Sequence, residues 1–182
     1  FYNKRRAALR DAAPNSAHHA LARLEQAAAA SGASFLLVTQ NVDNLHEKAG
    51  SASIIHMHGE LLSVLCATCG VRGAWDEELS VETPCWTCGA ASLRPDVVWF
   101  GEMPYQMDRI YRALGECDLF VSIGTSGEVY PAAGFVQEAS MAGARALELN
   151  LEPSANAGVF DEGRYGPASE VVSAWVDDLI GR

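Results

Sequence analysis

Apolar and polar positions alternate along the chain in two recognisable patterns. Short apolar runs of strand length lie at residues 34–39, 54–57, 97–100, 119–123 and 145–149, which is typical of strands buried on both faces. Apolar residues at helical spacing predict helices over residues 1–10, 17–28, 107–114, 132–139 and 171–179. Strands that alternate with helices through short links predict an α/β fold, with a mostly parallel sheet covered by helices on both faces.

The composition changes at residue 61. From there to residue 94 the chain has paired cysteines, several turn residues and little helical periodicity. We interpret this stretch as an inserted module. The predicted organisation is therefore residues 1–60 as a helical segment and the first part of the α/β domain, residues 61–94 as the module, and residues 95–182 as the remainder of that domain.

Four of the five cysteines form two C-x-x-C pairs, Cys66 with Cys69 and Cys85 with Cys88, separated by fifteen residues. Each pair can offer two thiolates, and two pairs complete a tetrahedron around Zn²⁺. All four positions would be filled by protein, so the predicted role is structural. The alternative is a redox dithiol, which two pairs in one short module make the weaker interpretation. Cys117 adjoins an apolar run and is interpreted as a small core residue.

The 182 residues carry a net charge of −10 and are 49% apolar. This charge argues against nucleic acid as a partner. No run reaches the length of a membrane span and no signal peptide is visible, so we expect a cytoplasmic protein that does not bind membranes. Four basic residues nevertheless fall within the first ten, which indicates either a solvated helix face or a small anion site: Lys4, Arg5, Arg6 and Arg10.

Small polar groups follow three of the predicted strands. Ligands bind at the carboxyl ends of strands in open α/β sheets, where small residues let a phosphate or a ribose approach the backbone. A lone Gly-Thr-Ser would be interpreted as a tight turn, but three such ends together predict a nucleotide site. They are Thr39-Gln40-Asn41, Gly124-Thr125-Ser126 and Asn150-Leu151-Glu152.

Two histidines, His56 and His58, stand on alternate residues after a short apolar run. In an extended chain both would point to one face. Histidine exchanges its proton near neutral pH, so one of the two is a natural general base. The alternative, that either ring caps a strand or binds a backbone carbonyl, would be favoured for a lone histidine. Gly59 follows directly, and it permits close approach of a ligand or a backbone.

Taken in register, these motifs resemble the sirtuins, the NAD-dependent protein lysine deacylases, along nearly the whole chain. The start of the chain resembles their bacterial class III, or desuccinylase-like, group. The motifs that carry the resemblance are Phe1-Tyr2-Asn3-Lys4-Arg5-Arg6, Gln40-Asn41-Val42-Asp43, His56-Met57-His58-Gly59-Glu60, the four paired cysteines, Val97-Val98-Trp99-Phe100-Gly101-Glu102, Gly124-Thr125-Ser126 and Asn150-Leu151-Glu152.

The resemblance implies a Rossmann-like fold and removal of acyl groups from protein lysines. NAD is the implied co-substrate, and the products are nicotinamide and O-acyl-ADP-ribose. By position, His58 is the implied general base. Residues implied around the cofactor are Gln40, Asn41, Val42 and Asp43 near the nicotinamide ribose, and Gly124, Thr125, Ser126, Asn150, Leu151, Glu152 and Ala168 on the adenosine side. An acylated lysine peptide is implied to lie between two edges formed by Phe100, Gly101 and Glu102 and by Glu128 and Val129. We expect a monomer.

Tyr2 and Arg5 are three residues apart, so they share one face of a helix. A phenol and a guanidinium together can donate to one carboxylate, which succinyl- and malonyl-lysine have and acetyl-lysine lacks. The resemblance favours this role over a packed Tyr2 and a solvated Arg5. Arg6 would point about 100° further round the helix.

The family's glycine-rich phosphate loop and first strand would lie before Phe1. We therefore expect residues 1–182 alone to lack the pyrophosphate cradle and to bind NAD weakly. The alternatives to an active deacylase are a plain deacetylase, a nucleotide sensor without turnover, and an inactive fragment whose zinc module serves only folding.

Overall fold

The computed structural model describes residues 1–181, which contain six α-helices and eight β-strands. The helices are α1 (Tyr2–Asp11), α2 (Ser16–Ser31), α3 (Leu45–Ala49), α4 (Met107–Glu116), α5 (Phe135–Met141) and α6 (Ala168–Ile180). The strands are β1 (Leu37–Thr39), β2 (Ile54–His56), β3 (Gly59–Cys66), β4 (Arg72–Ala74), β5 (Leu93–Val97), β6 (Leu119–Ile123), β7 (Arg145–Asn150) and β8 (Glu162–Tyr165). None of the helices described is long and apolar enough to cross a membrane.

The strands form three sheets. β1 pairs with β2 in parallel, and β6, β7 and β8 form a second parallel sheet in that order. The third sheet is antiparallel, with β3 between β4 and β5. The predicted α/β class and its parallel strands are confirmed. The parallel strands are divided between two sheets, and β1 and β6 each have one edge without a hydrogen-bonded strand within residues 1–181.

Two apolar clusters place helices on both faces of the parallel strands. In β1, Leu37 packs into the cluster that contains α2 and α6, while Val38 packs against the cluster that contains α4 and α5. Alternate residues of a strand point to opposite faces, so a continuous apolar run is what a doubly covered strand requires. Both clusters also include residues of β6, and they therefore join the two parallel sheets.

Helix α2 begins and ends as its sequence predicts. The side chain of Asn15 accepts hydrogen bonds from the backbone N–H groups of Ala17 and His18, and the ring of His18 accepts from the N–H of Asn15. This reciprocal arrangement is a capping box. Gly32 ends the helix with φ of +75°, a conformation that glycine adopts without strain.

The prediction of a strand over residues 97–100 is wrong. Val97 is the last residue of β5, which runs antiparallel to β3, and the chain then turns: Trp99 and Glu102 close a loop through backbone and side-chain hydrogen bonds. β8 was missed because Glu162–Tyr165 reads Glu-Gly-Arg-Tyr and offers no apolar run. The division at residue 60 stays a prediction, and β3 begins at Gly59.

Candidate active site

His58 lies in the turn between β2 and β3, with its ring held by the backbone. Its Nδ1 is 3.2 Å from the carbonyl oxygen of Gln40. A carbonyl only accepts hydrogen bonds, so Nδ1 is the protonated nitrogen of the neutral ring. The lone pair is then on Nε2, which has no hydrogen-bond partner among residues 1–181. This tautomer leaves Nε2 able to accept a proton.

Gly59 permits this turn. Its φ is +81°, and a Cβ added there would overlap the backbone carbonyl of Asp96 on the neighbouring β5. Any side chain at this position would therefore push β3 away from β5 and displace His58 with it. The sequence predicted that a ligand or a backbone approaches Gly59 closely, and in the structure it is the backbone of β5 that does so.

His56 has a different environment from His58. Its Nε2 is 2.6 Å from a carboxylate oxygen of Glu47, and its Nδ1 is 3.3 Å from the carbonyl oxygen of Asn41. The side chain is only 9% exposed. The extended-chain argument for the two histidines does not apply, because β2 ends at His56 and the chain turns at Met57. His56 joins β2 to α3, whereas His58 keeps one nitrogen free.

The polar residues after β1 form a loop fixed through its backbone. Thr39 is buried, and its hydroxyl accepts from the N–H of Asn41 at 3.0 Å. The carbonyl of Val42 accepts from the N–H of Leu61, and the carboxylate of Asp43 accepts from the N–H of Leu45. The side-chain amides of Gln40 and Asn41 make no hydrogen bond within residues 1–181, so they remain able to bind a ligand.

The other two polar strand ends contact each other. The amide of Asn150, after β7, donates to the carbonyl of Thr125, after β6, at 2.8 Å. Ser126 accepts from the N–H of Glu128 and shapes the turn that follows β6. Leu151 is exposed, and Ala168 is the first residue of α6. No hydrogen bond within residues 1–181 joins either end to the loop after β1.

Glu148 was missed by the sequence reasoning, although it lies in β7 two residues before the adenosine-side candidate Asn150. It is buried in β7, accepts from the N–H of Ser154 at 3.3 Å, and accepts from the hydroxyl of Tyr165 at 2.9 Å. The carboxylate raises the pKa of the Tyr165 phenol through this hydrogen bond. A charged residue within an apolar strand was the available signal.

Arg5 and Arg6 differ completely in their surroundings. Arg6 is buried: its Nε donates to the carbonyl of Leu61 at 2.8 Å, and its Nη1 donates to the side chain of Asn3 at 3.0 Å. Burial lowers the pKa of the Arg6 guanidinium. Arg5 is exposed and lies over the ring of Phe1. Arg6 thus joins α1 to β3, contrary to the interpretation of this group as a solvated face, and Arg5 remains free to meet an anion.

Tyr2 and the turn after β5 form one hydrogen-bonded group. The indole N–H of Trp99 donates to the hydroxyl of Tyr2 at 3.0 Å. The carboxylate of Glu102 accepts from the backbone N–H of Trp99 at 2.8 Å and from Arg94 at 2.9 Å. These donors lower the pKa of Glu102, and the backbone N–H of Trp99 has the largest effect. Phe100 is fully exposed beside it.

The four paired cysteines converge at the antiparallel sheet. All their sulfur atoms lie within 4.8 Å of one another, and two cross-pair distances, Cys66 to Cys88 and Cys69 to Cys85, are both 3.7 Å. A tetrahedral zinc site with bonds of about 2.3 Å has sulfur atoms about 3.8 Å apart. The N–H groups of Cys69 and Thr68 lower the pKa of the Cys66 thiol to about 6, whereas burial and the neighbouring thiols raise the pKa of Cys69. The donors present therefore fit a structural zinc ion.

Comparison with known proteins identifies the family. Residues 1–131 match the family model described as "Sir2 family". The chain belongs to the Sir2 family. It is 57% identical over 183 aligned positions to an NAD-dependent protein deacylase of Caulobacter vibrioides, covering 100% of the chain and 77% of that protein. It is 56% identical to one of Salmonella typhimurium, covering 99% of the chain and 66% of that protein.

Solved structures of Sir2 homologues have the same fold. One, a Sir2 homologue in complex with NAD, is 36% identical with a TM-score of 0.89, covering 98% of this chain and 69% of that chain. Another, bound to a myristoylated histone peptide, is 33% identical with a TM-score of 0.77, covering 93% of this chain and 75% of that one. The chain spans about two thirds of the length of the Salmonella relative.

Proposed function

We propose that this Sir2-family chain carries the NAD-dependent removal of acyl groups from protein lysines. The observation that carries the proposal is the ring of His58, whose Nδ1–H donates to the carbonyl of Gln40 and leaves Nε2 as a free base. The relatives of 55–57% identity are named NAD-dependent protein deacylases, which supports this reaction.

The reaction assigns a role to each polar strand end. When bound, NAD supplies the ribose carbon that the acyl oxygen attacks as nicotinamide leaves. We assign Nε2 of His58 to accept the proton of a ribose hydroxyl, which is general base catalysis. The side-chain amides of Gln40 and Asn41, which make no hydrogen bond to the residues described, can bind the nicotinamide and its ribose. The Thr125–Asn150 contact holds together the two loops that would bind adenosine.

The substrate that we propose is an acylated lysine in a peptide segment of another protein. A Sir2 homologue has been solved with an acylated histone peptide, which supports this class. Tyr2 and Arg5 extend the proposal to acyl groups that end in a carboxylate, because a phenol and an exposed guanidinium are both donors. We further propose that the protein acts as a monomer on protein substrates, and that Cys66, Cys69, Cys85 and Cys88 hold a structural zinc ion.

The test is nicotinamide release by the natural full-length protein with NAD and either succinyl- or acetyl-lysine peptide. His58→Ala should slow turnover about 10²–10⁴-fold, because it removes a positioned base. His56→Ala removes the contacts to Glu47 and Asn41 and should instead lower the melting temperature, with a smaller loss of rate. His19→Ala is the control, since His19 makes no side-chain hydrogen bond among the residues described. If the wild type binds NAD but never releases nicotinamide, the protein is a sensor and the proposal fails.

A further inference from the structure

Trp99 and Tyr2 make a contact across the sequence that the proposed reaction does not use. The indole Nε1–H of Trp99 donates to the phenolic oxygen of Tyr2 at 3.0 Å, although the two residues are 97 positions apart. An indole nitrogen is only ever a donor, and a hydroxyl has one proton and two lone pairs. The bond from Trp99 therefore occupies a lone pair of Tyr2, and the proton of Tyr2 must be donated elsewhere.

The indole ring of Trp99 is held in place by its own turn. The guanidinium of Arg94 lies over the ring, 4.2 Å from its centre. Both carboxylate oxygens of Glu102 accept from Arg94, at 2.9 and 3.1 Å, and one of them also accepts from the backbone N–H of Trp99. Cation–π contact and two charge-assisted hydrogen bonds restrict the ring. Trp99 is thus a fixed donor, although it is partly exposed.

We propose that Trp99, held by Arg94 and Glu102, is a positioning residue that directs the hydroxyl proton of Tyr2 toward the terminal carboxylate of a dicarboxylic acyl-lysine. The inference rests on the proposed function and deepens it. A carboxylate only accepts hydrogen bonds, so it can use Tyr2 only as a donor. A hydroxyl that itself accepts a hydrogen bond is polarised and becomes a better donor. The bond from Trp99 therefore both orients and strengthens the donor.

The first experiment compares succinyl-lysine with acetyl-lysine peptides for the natural full-length protein and its Trp99→Phe variant. Phenylalanine keeps an aromatic ring for Arg94, but it removes the N–H together with the pyrrole part of the indole. The ratio of kcat/KM for succinyl over acetyl should fall roughly 3- to 10-fold, the range expected for one neutral hydrogen bond. The loss should be in KM rather than in kcat, because the carboxylate is remote from the reacting atoms. An unchanged ratio would overturn the inference.

A double-mutant cycle separates positioning through Tyr2 from a purely structural effect. In a Tyr2→Phe background the hydroxyl is absent, so Trp99→Phe should leave the remaining ratio unchanged within about a factor of two. If Trp99→Phe lowers the ratio equally in both backgrounds, Trp99 does not act through Tyr2 and the inference is wrong. Trp86→Phe, at a tryptophan that makes no side-chain hydrogen bond within residues 1–181, is the matched control and should leave the ratio at its wild-type value.

Failure of the inference remains distinguishable from failure of the proposed function. Calorimetric affinity for the succinyl-lysine peptide gives the same comparison without turnover: Trp99→Phe should weaken it by a similar factor. A wild type that binds this peptide but releases no nicotinamide refutes the reaction and not the positioning. If circular dichroism shows Trp99→Phe to be unfolded, the ratio is measured for Glu102→Gln instead. This variant weakens the hydrogen bonds that hold Arg94 over the ring and keeps the indole. It should lower the succinyl ratio about 2-fold, and an unchanged ratio in that folded variant would also overturn the inference.

Discussion

The four-cysteine module and the polar strand ends are both candidate ligand sites, but they are built in opposite ways. In the module all four sulfur atoms already lie within 4.8 Å of one another. At the strand ends, by contrast, the side-chain amides of Gln40 and Asn41 have no hydrogen-bond partner within residues 1–181. In the same range, only the second and third ends share a hydrogen bond. The module is complete within a few dozen residues, whereas the strand ends depend on the arrangement of the whole α/β domain.

This difference follows from what each site must do. A structural metal site contributes directly to folding and must close all its positions. A site for a substrate must keep side-chain donors and acceptors free for the ligand. Its loop is therefore fixed by hydrogen bonds to backbone groups. The Thr39–Asn41 and Asp43–Leu45 contacts at the loop after β1 are of this second kind.

Loss of the metal should have the largest effect. Structural zinc contributes an apparent binding free energy of about 10–16 kcal/mol in small zinc modules, so Cys69→Ser should unfold residues 61–94. Purified wild type should contain close to one zinc per chain by elemental analysis. Hydrogen exchange should show lost protection in β3, β4 and β5 and retained protection in β7. A zinc-free protein with an intact module would contradict the assignment.

Arg6 tests whether α1 depends on the module. Arg6→Met would remove the hydrogen bonds to the carbonyl of Leu61 and to the side chain of Asn3, which would keep only its bonds to the backbone of Leu79. It should reduce the free energy of unfolding by roughly 2–4 kcal/mol. Chemical denaturation measures this loss. Lys4→Met, at an exposed position of the same helix, is the control and should stay within about 0.5 kcal/mol of wild type. Equal stability of both variants would show that the buried guanidinium contributes nothing.

Arg5 tests the free side of the same helix. Arg5→Met should reduce the ratio of kcat/KM for succinyl-lysine over acetyl-lysine roughly 10- to 150-fold, because a hydrogen bond to a charged group is worth about 1.5–3 kcal/mol. Its stability should remain close to that of wild type, since the side chain is exposed. The same ratio is measured for Arg6→Met, at a temperature where both variants are equally folded, because Arg6→Met is expected to be less stable. An equal loss on both peptides with Arg5→Met would refute the carboxylate assignment.

The sequence predicts the module better than the strand ends for a physical reason. Two C-x-x-C pairs place donors by local geometry alone, so Cys66, Cys69, Cys85 and Cys88 could be assigned from their spacing. The parallel strands β1, β6 and β7 were likewise visible as apolar runs, although β6 is only half-buried. Arg6 could not be recognised as buried, because its partner Leu61 is 55 positions away.

Contacts that hydropathy does not show also decided where the strand pattern was wrong. Residues 97–100 look like a strand by hydropathy, but Trp99 donates its backbone N–H to Glu102 and its indole N–H to Tyr2. The bond to Glu102 closes a local turn three residues long, whereas the bond to Tyr2 spans 97 positions and depends on the tertiary fold. In the sequence, only the resemblance indicated which of the two histidines is the general base. The structure distinguishes them by Glu47, which contacts His56 and not His58.

The smallest expected effect is a pH dependence close to the loop after β1. The rings of His18 and His46 are in contact, with centroids 4.7 Å apart and their planes tilted by 53°. Burial is the main cause that lowers the pKa of both rings. The charge of His18 lowers the pKa of His46 further, whereas the carboxylate of Asp43 raises the pKa of both. The unfolded chain then binds more protons below about pH 6.5, so stability is complete above that pH and declines as pH falls through the window beneath it.

His18→Gln should reduce this decline while keeping helix α2 intact. Glutamine at the same position can still accept from the N–H of Asn15, so the capping box survives. Because both rings are partly exposed, the difference should be on the order of a few tenths of a kcal/mol. Urea titrations of wild type and variant at pH 7.5 and pH 5.5 measure it, with His19→Gln as the exposed control. A decline that is equally steep in His18→Gln and wild type would show that the two histidines do not cause the acid sensitivity.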